Sequence, residues 1–178
     1  MAKLLALLRG INVGGNKKVP MSDLRALAEE LGLLEVATYI NSGNLVARSA
    51  ETAEATARKL EEAIAKRFGF EVTVVARTAS QWKKHVAANP FAAASRTEPE
   101  RVILHVSKEP PAPTAVARLA ERARDGEKVV VAGGALWIHY PEGQGRSKLA
   151  PGLIDRLVGS PTTARNWRTV LVLSDMLG

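Results

Sequence analysis

The amino-acid sequence predicts an α+β protein made of two ferredoxin-like βαββα(β) halves that pack together, with mainly antiparallel sheets. Short apolar runs rich in strand-forming residues alternate with helical stretches in the order βαββαβ, which is the split-βαβ pattern. The order then starts again near residue 101, and the hairpin turns at Gly43 and Gly134 occupy corresponding places. The chain has 178 residues, of which 46% are hydrophobic, so it can bury a shared core.

Turn and capping residues delimit the elements of the first half. Ser22 is placed to cap the first helix and Gly32 to end it; Thr52 is placed to cap the second helix and Gly69 to end it. The residues NSGN (41–44) are typical of a hairpin turn. The predicted elements are a strand over 3–8, a helix over 23–31, strands over 36–40 and 45–48, a helix from 53 to about 68, and a strand over 71–76.

A capping box of Thr78 and Gln81 predicts a further helix through about residue 88. Residues 91–100 are predicted to link a first half, 1–90, to a second half, 101–178. Thr114 is placed to cap the next helix, and Thr162 or Thr163 the last one. The predicted elements are a strand over 101–106, a helix from 115 to about 124, strands over 128–132 and 135–140, a helix over 151–158, and a final helix from about 165 to 176.

The composition excludes several classes of protein. The chain has no cysteine, which rules out disulfides, cysteine-ligated zinc, iron–sulfur clusters and thiol catalysis. No apolar run approaches the ~18 residues of a membrane span, and the N-terminal apolar run is too short for a signal-peptide core. We therefore expect a cytoplasmic protein that has no membrane partner.

The positive charge is unevenly distributed. Lys and Arg number 25 against 18 Asp and Glu, a net charge of +7. The segments that contain basic residues but no acidic ones are 1–22, 72–97, 143–154 and 156–174. Such segregation predicts positive surface patches that attract phosphates or acidic partners, although chance clustering on a basic background is an alternative for any one segment.

The segment RGINVGGNKK (9–18) combines glycines and cations between a predicted buried strand and a predicted helix. Glycines let backbone N–H groups approach an anion closely, and a helix N-terminus favours negative charge. The glycine spacing matches neither a Walker A loop nor GxGxxG. The alternative interpretation is a structural crossover loop whose glycines serve positive φ angles.

Five motifs together resemble one protein family. They are RGINVGGNKKVPM, TYINSGNLV, ANPF (88–91), GRSKL (145–149) and TTARNWRTV (162–170), and the resemblance covers about residues 3 to 175. In this order they are similar to the bacterial family called domain of unknown function 1697. The resemblance implies a two-part α+β protein, and it implies no activity, since none is established for the family.

Polar residues in these motifs and in the glycine-rich loop are the candidate ligand-binding residues. Core packing does not require them, whereas recognition of an anion does. They are Arg9, Asn12, Gly14, Gly15, Lys17, Ser42, Arg146, Lys148, Arg165 and Asn166. For Asn41 and Asn44 we favour a purely turn-forming role, and for Thr162 or Thr163 a role only as a helix cap is the alternative.

The three histidines do not predict a metal site. His105 and His139 fall on predicted neighbouring strands, but no third ligand accompanies them, so they are interpreted as sheet-surface residues. His85 lies beside two lysines on a helix and is predicted to be solvated. No metal and no cofactor is expected.

The leading hypothesis for function is the binding of a small, phosphate-bearing anion in a crevice between the halves. Non-specific nucleic-acid binding through basic patches and a protein-interaction role are the alternatives. An enzyme of group transfer ranks behind these, because the sequence supplies no evident base or nucleophile, so the sequence does not decide whether the protein is an enzyme. The oligomeric state does not follow from the sequence either.

Overall fold

The structure is a computed structural model that describes all 178 residues. It contains eight strands and seven helices, together with short 3-10 turns at Pro99–Arg101 and Gln144–Arg146. In chain order they are β1 (Ala2–Leu8), α1 (Met21–Glu30), β2 (Leu34–Tyr39), β3 (Asn44–Ser49), α2 (Ala53–Phe68), β4 (Val74–Thr78), α3 (Ala79–Ala87), α4 (Ala92–Thr97), β5 (Val102–Ser107), α5 (Ala115–Ala120), β6 (Lys128–Ala132), β7 (Ala135–His139), α6 (Pro151–Val158), β8 (Thr162–Asn166) and α7 (Trp167–Leu177).

The chain divides into two compact units. Unit 1 comprises Met1–Trp82 and Leu173–Gly178, and unit 2 comprises Lys83–Val172. The sheet of unit 1 has the strand order β2-β3-β1-β4 and that of unit 2 the order β6-β7-β5-β8. Every pairing in both sheets is antiparallel. The predicted α+β fold of two halves with mainly antiparallel sheets is therefore confirmed.

Each unit buries one face of its sheet against two helices. In unit 1, Ala6 and Leu8 of β1 pack with Leu24 of α1 and with Leu60 and Ile64 of α2. The remaining β1 leucines, at positions 4, 5 and 7, are also buried, which explains why the strand is an uninterrupted apolar run from Leu4 to Leu8. No helix of the chain is both long and apolar enough to cross a membrane.

The core of unit 2 is built in the same way. Leu136 and Ile138 of β7 pack with Leu119 of α5 and with Ile154 and Leu157 of α6. The bounds of α6 are those predicted, because Pro151 opens it and Gly159, with φ 93°, closes it.

Some of the predicted caps are present and others are wrong. Thr52 accepts a hydrogen bond from Ala55 N at 3.1 Å, and Gly69 follows α2 in the left-handed conformation, both as predicted. The Ser22 cap is wrong, because α1 begins at Met21, two residues earlier than predicted, and has no side-chain cap. The fixed φ of proline, here −59° with an extended ψ of 137°, sets the start of this helix instead.

The helix predicted from 115 to about 124 is shorter in the structure. Thr114 makes no side-chain cap, and α5 ends at Ala120. The buried Glu127 carboxylate accepts hydrogen bonds from the backbone N–H groups of Arg124 (3.1 Å) and Asp125 (2.8 Å), which turns the chain away from the helix axis. The segment predicted as a linker, 91–100, contains the helix α4.

The largest correction concerns the C-terminal segment. Residues 162–166 form β8, and α7 starts only at Trp167. Asn166 accepts a hydrogen bond from Thr169 N at 3.0 Å, so Asn166 caps the helix and neither Thr162 nor Thr163 does. The two threonines lie in the strand, consistent with the β-branched residues' preference for extended backbone.

Candidate anion-binding loop

The connection from β1 to α1, residues 9–20, is called the basic loop. Asn12 and Lys17 have positive φ angles of 56° and 45°, which are uncommon for residues other than glycine. Gly10, Gly14 and Gly15 have φ values of 66°, 58° and 77°. An isolated bridge between Val13 and Asn16 closes the tip of the loop. The glycines therefore serve the backbone conformation, as the structural interpretation of this segment predicts.

Asn12 holds the basic loop together. Its side-chain amide donates to Val19 O at 2.9 Å and to Asn41 O at 2.8 Å, and its Oδ1 accepts from Val19 N at 2.8 Å. Both amide hydrogens are thus used within the protein. Asn12 shapes the loop and ties it to the turn between β2 and β3.

That turn, residues 40–43, is itself tightly packed. The side chain of Asn44 donates to Tyr39 O at 2.9 Å and to Ser42 Oγ at 3.1 Å. Gly43 has φ 85°, and a Cβ there would lie 2.7 Å from Leu8 Cβ and 2.7 Å from Ile11 Cδ1. The candidate residue Ser42 therefore accepts a hydrogen bond that supports the turn.

An open depression of about 310 Å³ lies between the basic loop and this turn. The residues that line it are Asn12, Gly15, Lys18, Val19, Pro20 and Asn41. Lys18 is exposed, whereas Lys17 is directed elsewhere and donates from Nζ to Glu71 O at 2.7 Å. Lys18 is not among the candidate residues, because adjacent lysines look alike in a sequence. Asn41 is not among them either, because the sequence favours a purely turn-forming role for it.

The start of α1 adjoins the depression at Pro20. Because this helix has no side-chain cap, its first-turn N–H groups are not occupied by a capping side chain. One carboxylate, that of Asp23, lies in the first turn. The lining thus offers an ammonium group and amides, and it contains no carboxylate, imidazole or hydroxyl that would act as a base or nucleophile.

The candidate residues of the GRSK segment lie in unit 2. Arg146 and Lys148 are exposed on the connection from β7 to α6. Between them, Ser147 donates from Oγ to Glu127 Oε1 and accepts from Leu149 N at 3.1 Å. Burial by itself raises the pKa of Glu127, but the hydrogen bonds from Ser147 and the backbone outweigh it and lower that pKa. A buried carboxylate therefore anchors the segment.

Arg165 and Asn166 belong to β8. Arg165 is buried and donates from Nη1 to Thr163 Oγ1 at 2.9 Å and to Ala164 O at 2.7 Å. Burial lowers the pKa of Arg165 to about 10, so the guanidinium stays charged at neutral pH. With Asn166 capping α7, both residues have structural partners within unit 2.

The candidates thus fall into two sets. Unit 1 brings together Arg9, Asn12, Gly14, Gly15, Lys17 and Ser42 around the basic loop and the adjoining turn. Unit 2 holds Arg146, Lys148, Arg165 and Asn166.

The histidines occupy structural positions. His105 is buried, and its Nε2 lies 3.1 Å from the Tyr140 hydroxyl; burial lowers the pKa of His105 to about 4, although the charge of Asp155 opposes this. The predicted solvation of His85 is wrong, since it is buried with Nδ1 2.9 Å from Gly133 O. The sheet-surface interpretation is likewise wrong for His105. Nowhere do three or more His, Asp or Glu residues cluster in an arrangement suited to a metal ion.

Comparison with known proteins places the chain in a family. A solved structure of the conserved bacterial protein SP0830 from Streptococcus pneumoniae is similar over 99% of both chains, with a TM-score of 0.77 and 24% sequence identity, a likeness that concerns the fold. No curated protein matches the chain. The family described as a protein of unknown function, DUF1697, matches residues 1–137. The resemblance inferred from the motifs is confirmed: the chain belongs to the DUF1697 family.

Proposed function

We propose that this protein binds a small, phosphate-bearing anion at the basic loop. The observation that carries the proposal is the depression of about 310 Å³ with the exposed Lys18 on its wall. Unlike the crevice expected from the sequence, this placement needs residues of unit 1 alone.

The charge around the depression supports an anion. Residues 1–22 contain Arg9, Lys17 and Lys18 and no acidic residue. A hydrogen bond between an ammonium group and a phosphate oxygen is charge-assisted and roughly twice as strong as a neutral one. The first acidic residue, Asp23, stands in the first turn of α1 and sets a limit on how closely an anion approaches that helix end.

The backbone supports the same ligand. A Cβ added at Gly14 or Gly15 would meet no atom within 4 Å, so open space surrounds these two peptides. Peptides of this kind, with positive φ and no side chain, bring N–H groups close to phosphate oxygens. Because the lining contains no carboxylate, imidazole or hydroxyl, we favour binding over catalysis as the role of this site.

Thermal unfolding at constant ionic strength tests the proposal. The probes are inorganic phosphate, a nucleoside triphosphate, a hexose phosphate and a short mixed oligonucleotide. We expect a saturable rise in Tm with a small anion, because a ligand that binds only the folded state stabilises it. The Lys18→Ala variant should weaken this binding about tenfold, since one charge-assisted hydrogen bond is lost.

The Lys66→Ala variant is the matched control, because it removes an exposed lysine of α2 and changes the net charge equally. It should bind like the unmodified protein. No response to any small anion, or an equal effect of both variants, would overturn the proposal. A response to the oligonucleotide alone, falling steeply with salt, would favour nucleic-acid binding instead.

A further inference from the structure

The outer edge of β4 is closed by side chains. Arg9 N donates to Thr73 O, and in an antiparallel pair every second residue of a strand bonds its neighbour. The residues between, Val74 and Ala76, therefore direct their backbone N–H and C=O groups away from β1. The outward N–H of Val74 donates to Glu61 Oε1 at 2.7 Å, and the outward carbonyl of Ala76 accepts from Arg77 Nη1 at 2.8 Å. These two backbone groups are therefore not available for pairing with another chain.

The edge of β8 is closed by the same device. The N–H of Thr162 donates to Asp155 Oδ1 at 2.9 Å, and the carbonyl of Ala164 accepts from Arg165 Nη1 at 2.7 Å. Glu61 lies on α2 and Asp155 on α6, the helices that precede the two strands. Both units therefore protect this edge with a carboxylate from the helix and an arginine from the strand.

The edge of β2 is protected differently. Glu35 has φ 51°, and the register of β2 against β3 shifts between Leu34 and Ala37. Glu35 also forms an ion pair with Arg48 at 2.9 Å. A bulge and a charge interrupt the straight edge that an added strand needs.

The edge of β6 has none of these devices. A two-residue turn, Gly133-Gly134, joins β6 to β7, so Lys128, Val130 and Ala132 face β7 while Val129 and Val131 direct their N–H and C=O groups outward. These groups form no hydrogen bond in the protein. The Val131 residue is 40% exposed, and the strand sequence KVVVA contains no proline, glycine or acidic residue.

We propose that β6 is a docking edge that pairs with an extended segment of another protein. The segment is apolar at alternating positions and acidic at its ends. Main-chain hydrogen bonds to Val129 and Val131 supply affinity in this mode of recognition, and alternate side chains supply specificity. The docking edge lies in unit 2 and does not depend on anion binding at the basic loop.

The charge beside β6 selects an acidic partner. The α5 helix contacts β6, and segment 118–128 contains four basic and three acidic residues: Arg118, Arg122, Arg124, Lys128, Glu121, Asp125 and Glu127. Of these only Glu127 is buried, so the exposed charges are four basic and two acidic. A second copy of the chain would bring the same basic excess and a net charge of +7, which opposes pairing of β6 with itself.

The test is a titration with a synthetic peptide that has a Val-Thr-Val-Thr-Val centre and acidic residues at both ends. Amide hydrogen exchange of Val129 and Val131, followed by NMR, is the readout. We expect saturable binding that slows exchange at both amides, since their hydrogens become paired. A peptide with N-methylated amides on its edge-facing side should bind at least about tenfold more weakly, because it cannot donate to the strand. A peptide with lysines in place of the acids should also bind more weakly.

Two variants give the matched comparison on the protein. Val131→Pro removes an outward N–H that makes no ladder bond, so it should abolish binding while leaving Tm nearly unchanged. Val131→Thr keeps the N–H and the β-branched shape, and it should bind as the unmodified protein does. Unchanged exchange at Val129 and Val131 with the acidic peptide, or equal binding of the N-methylated peptide, would overturn the proposal whatever the variants do. Self-association through β6, detected by sedimentation, would also overturn it in favour of a second copy.

Discussion

Units 1 and 2 share their strand order but differ in which connections are long. In unit 1 the β1–α1 connection covers residues 9–20, whereas the β3–α2 connection covers only 50–52. In unit 2 the β5–α5 connection covers 108–114, and the long one, 140–150, joins β7 to α6. Connections run over the surface and do not take part in the sheet, so their lengths differ between the units while the strand order is the same. The basic motifs lie on the long connections of both units.

The comparison also shows a repeat at the level of single residues. Ala76-Arg77-Thr78 and Ala164-Arg165-Asn166 end the last strands of the two units. In each, the arginine closes the carbonyl of the preceding alanine, and the third residue caps the next helix. In both units this arrangement protects the edge of the sheet.

The largest expected effect separates the two hairpin turns. In Gly43→Ala the new Cβ would meet Leu8 and Ile11 at 2.7 Å in a backbone with positive φ. Strain and overpacking together should lower the free energy of unfolding by about 4 kcal/mol. The control is Gly134→Ala, where φ is 76° but no atom lies within 4 Å, so about 1 kcal/mol is expected. Urea unfolding measures both, and equal losses would show that crowding does not distinguish the turns.

The next effect concerns acid stability, which should distinguish unit 2 from unit 1. All three histidines lie in unit 2. The pKa of His105 is lowered by burial from 6.5 to about 4, so the unfolded chain takes up a proton between these pH values that the folded chain does not. Stability from this group is complete above pH 6.5 and falls by about 3 kcal/mol as the pH drops towards 4.

Amide exchange resolved by residue should show this loss in unit 2. The His105→Gln variant keeps a hydrogen-bonding partner for Tyr140 but does not titrate, so the dependence on pH in this window should become flatter. An unchanged slope in this variant would assign the acid sensitivity to other groups.

The smallest effect compares the two edge carboxylates. Asp155 Oδ1 accepts from both the N–H and the hydroxyl of Thr162, at 2.9 and 3.0 Å, whereas Glu61 Oε1 accepts from the N–H of Val74. We expect Asp155→Ala to cost about 2 kcal/mol and Glu61→Ala about 1 kcal/mol, because Thr162 loses a partner for two polar groups and Val74 for one. Thermal unfolding of the two variants checks the order, and a larger loss for Glu61→Ala would contradict it.

Local signals account for what was predicted correctly. The Thr52 cap, the Thr78–Gln81 box and the bounds of α6 each depend on residues within one helical turn, and all are present. The C-terminal strand was missed because Thr162 and Thr163 suit a helix cap as well as a strand. The choice depends on pairing with β5, which no local pattern reveals.

The candidate site also has features that the sequence predicts and features that it does not. The glycine and lysine content of the basic loop was evident, and the glycines do adopt positive φ. That Lys17 bonds the carbonyl of Glu71 while Lys18 faces the depression was not evident, since the two residues are neighbours of the same type. Arg165 is a predicted ligand residue, and in the structure its guanidinium bonds Thr163 and Ala164. The sequence does not show which groups an arginine among neutral polar residues will contact.

By itself, the sequence determined the order of the elements other than α4 and β8, many of their ends and the segregation of charge, because periodicity, caps and turns act over a few residues. The tertiary structure decided which arginines and carboxylates close sheet edges, which lysine faces a depression, and which strand keeps an open edge. Those outcomes depend on pairing between residues far apart in the chain, such as Ser147 with Glu127, or β8 with β5. Only the folded backbone sets the distances and desolvation on which such contacts depend.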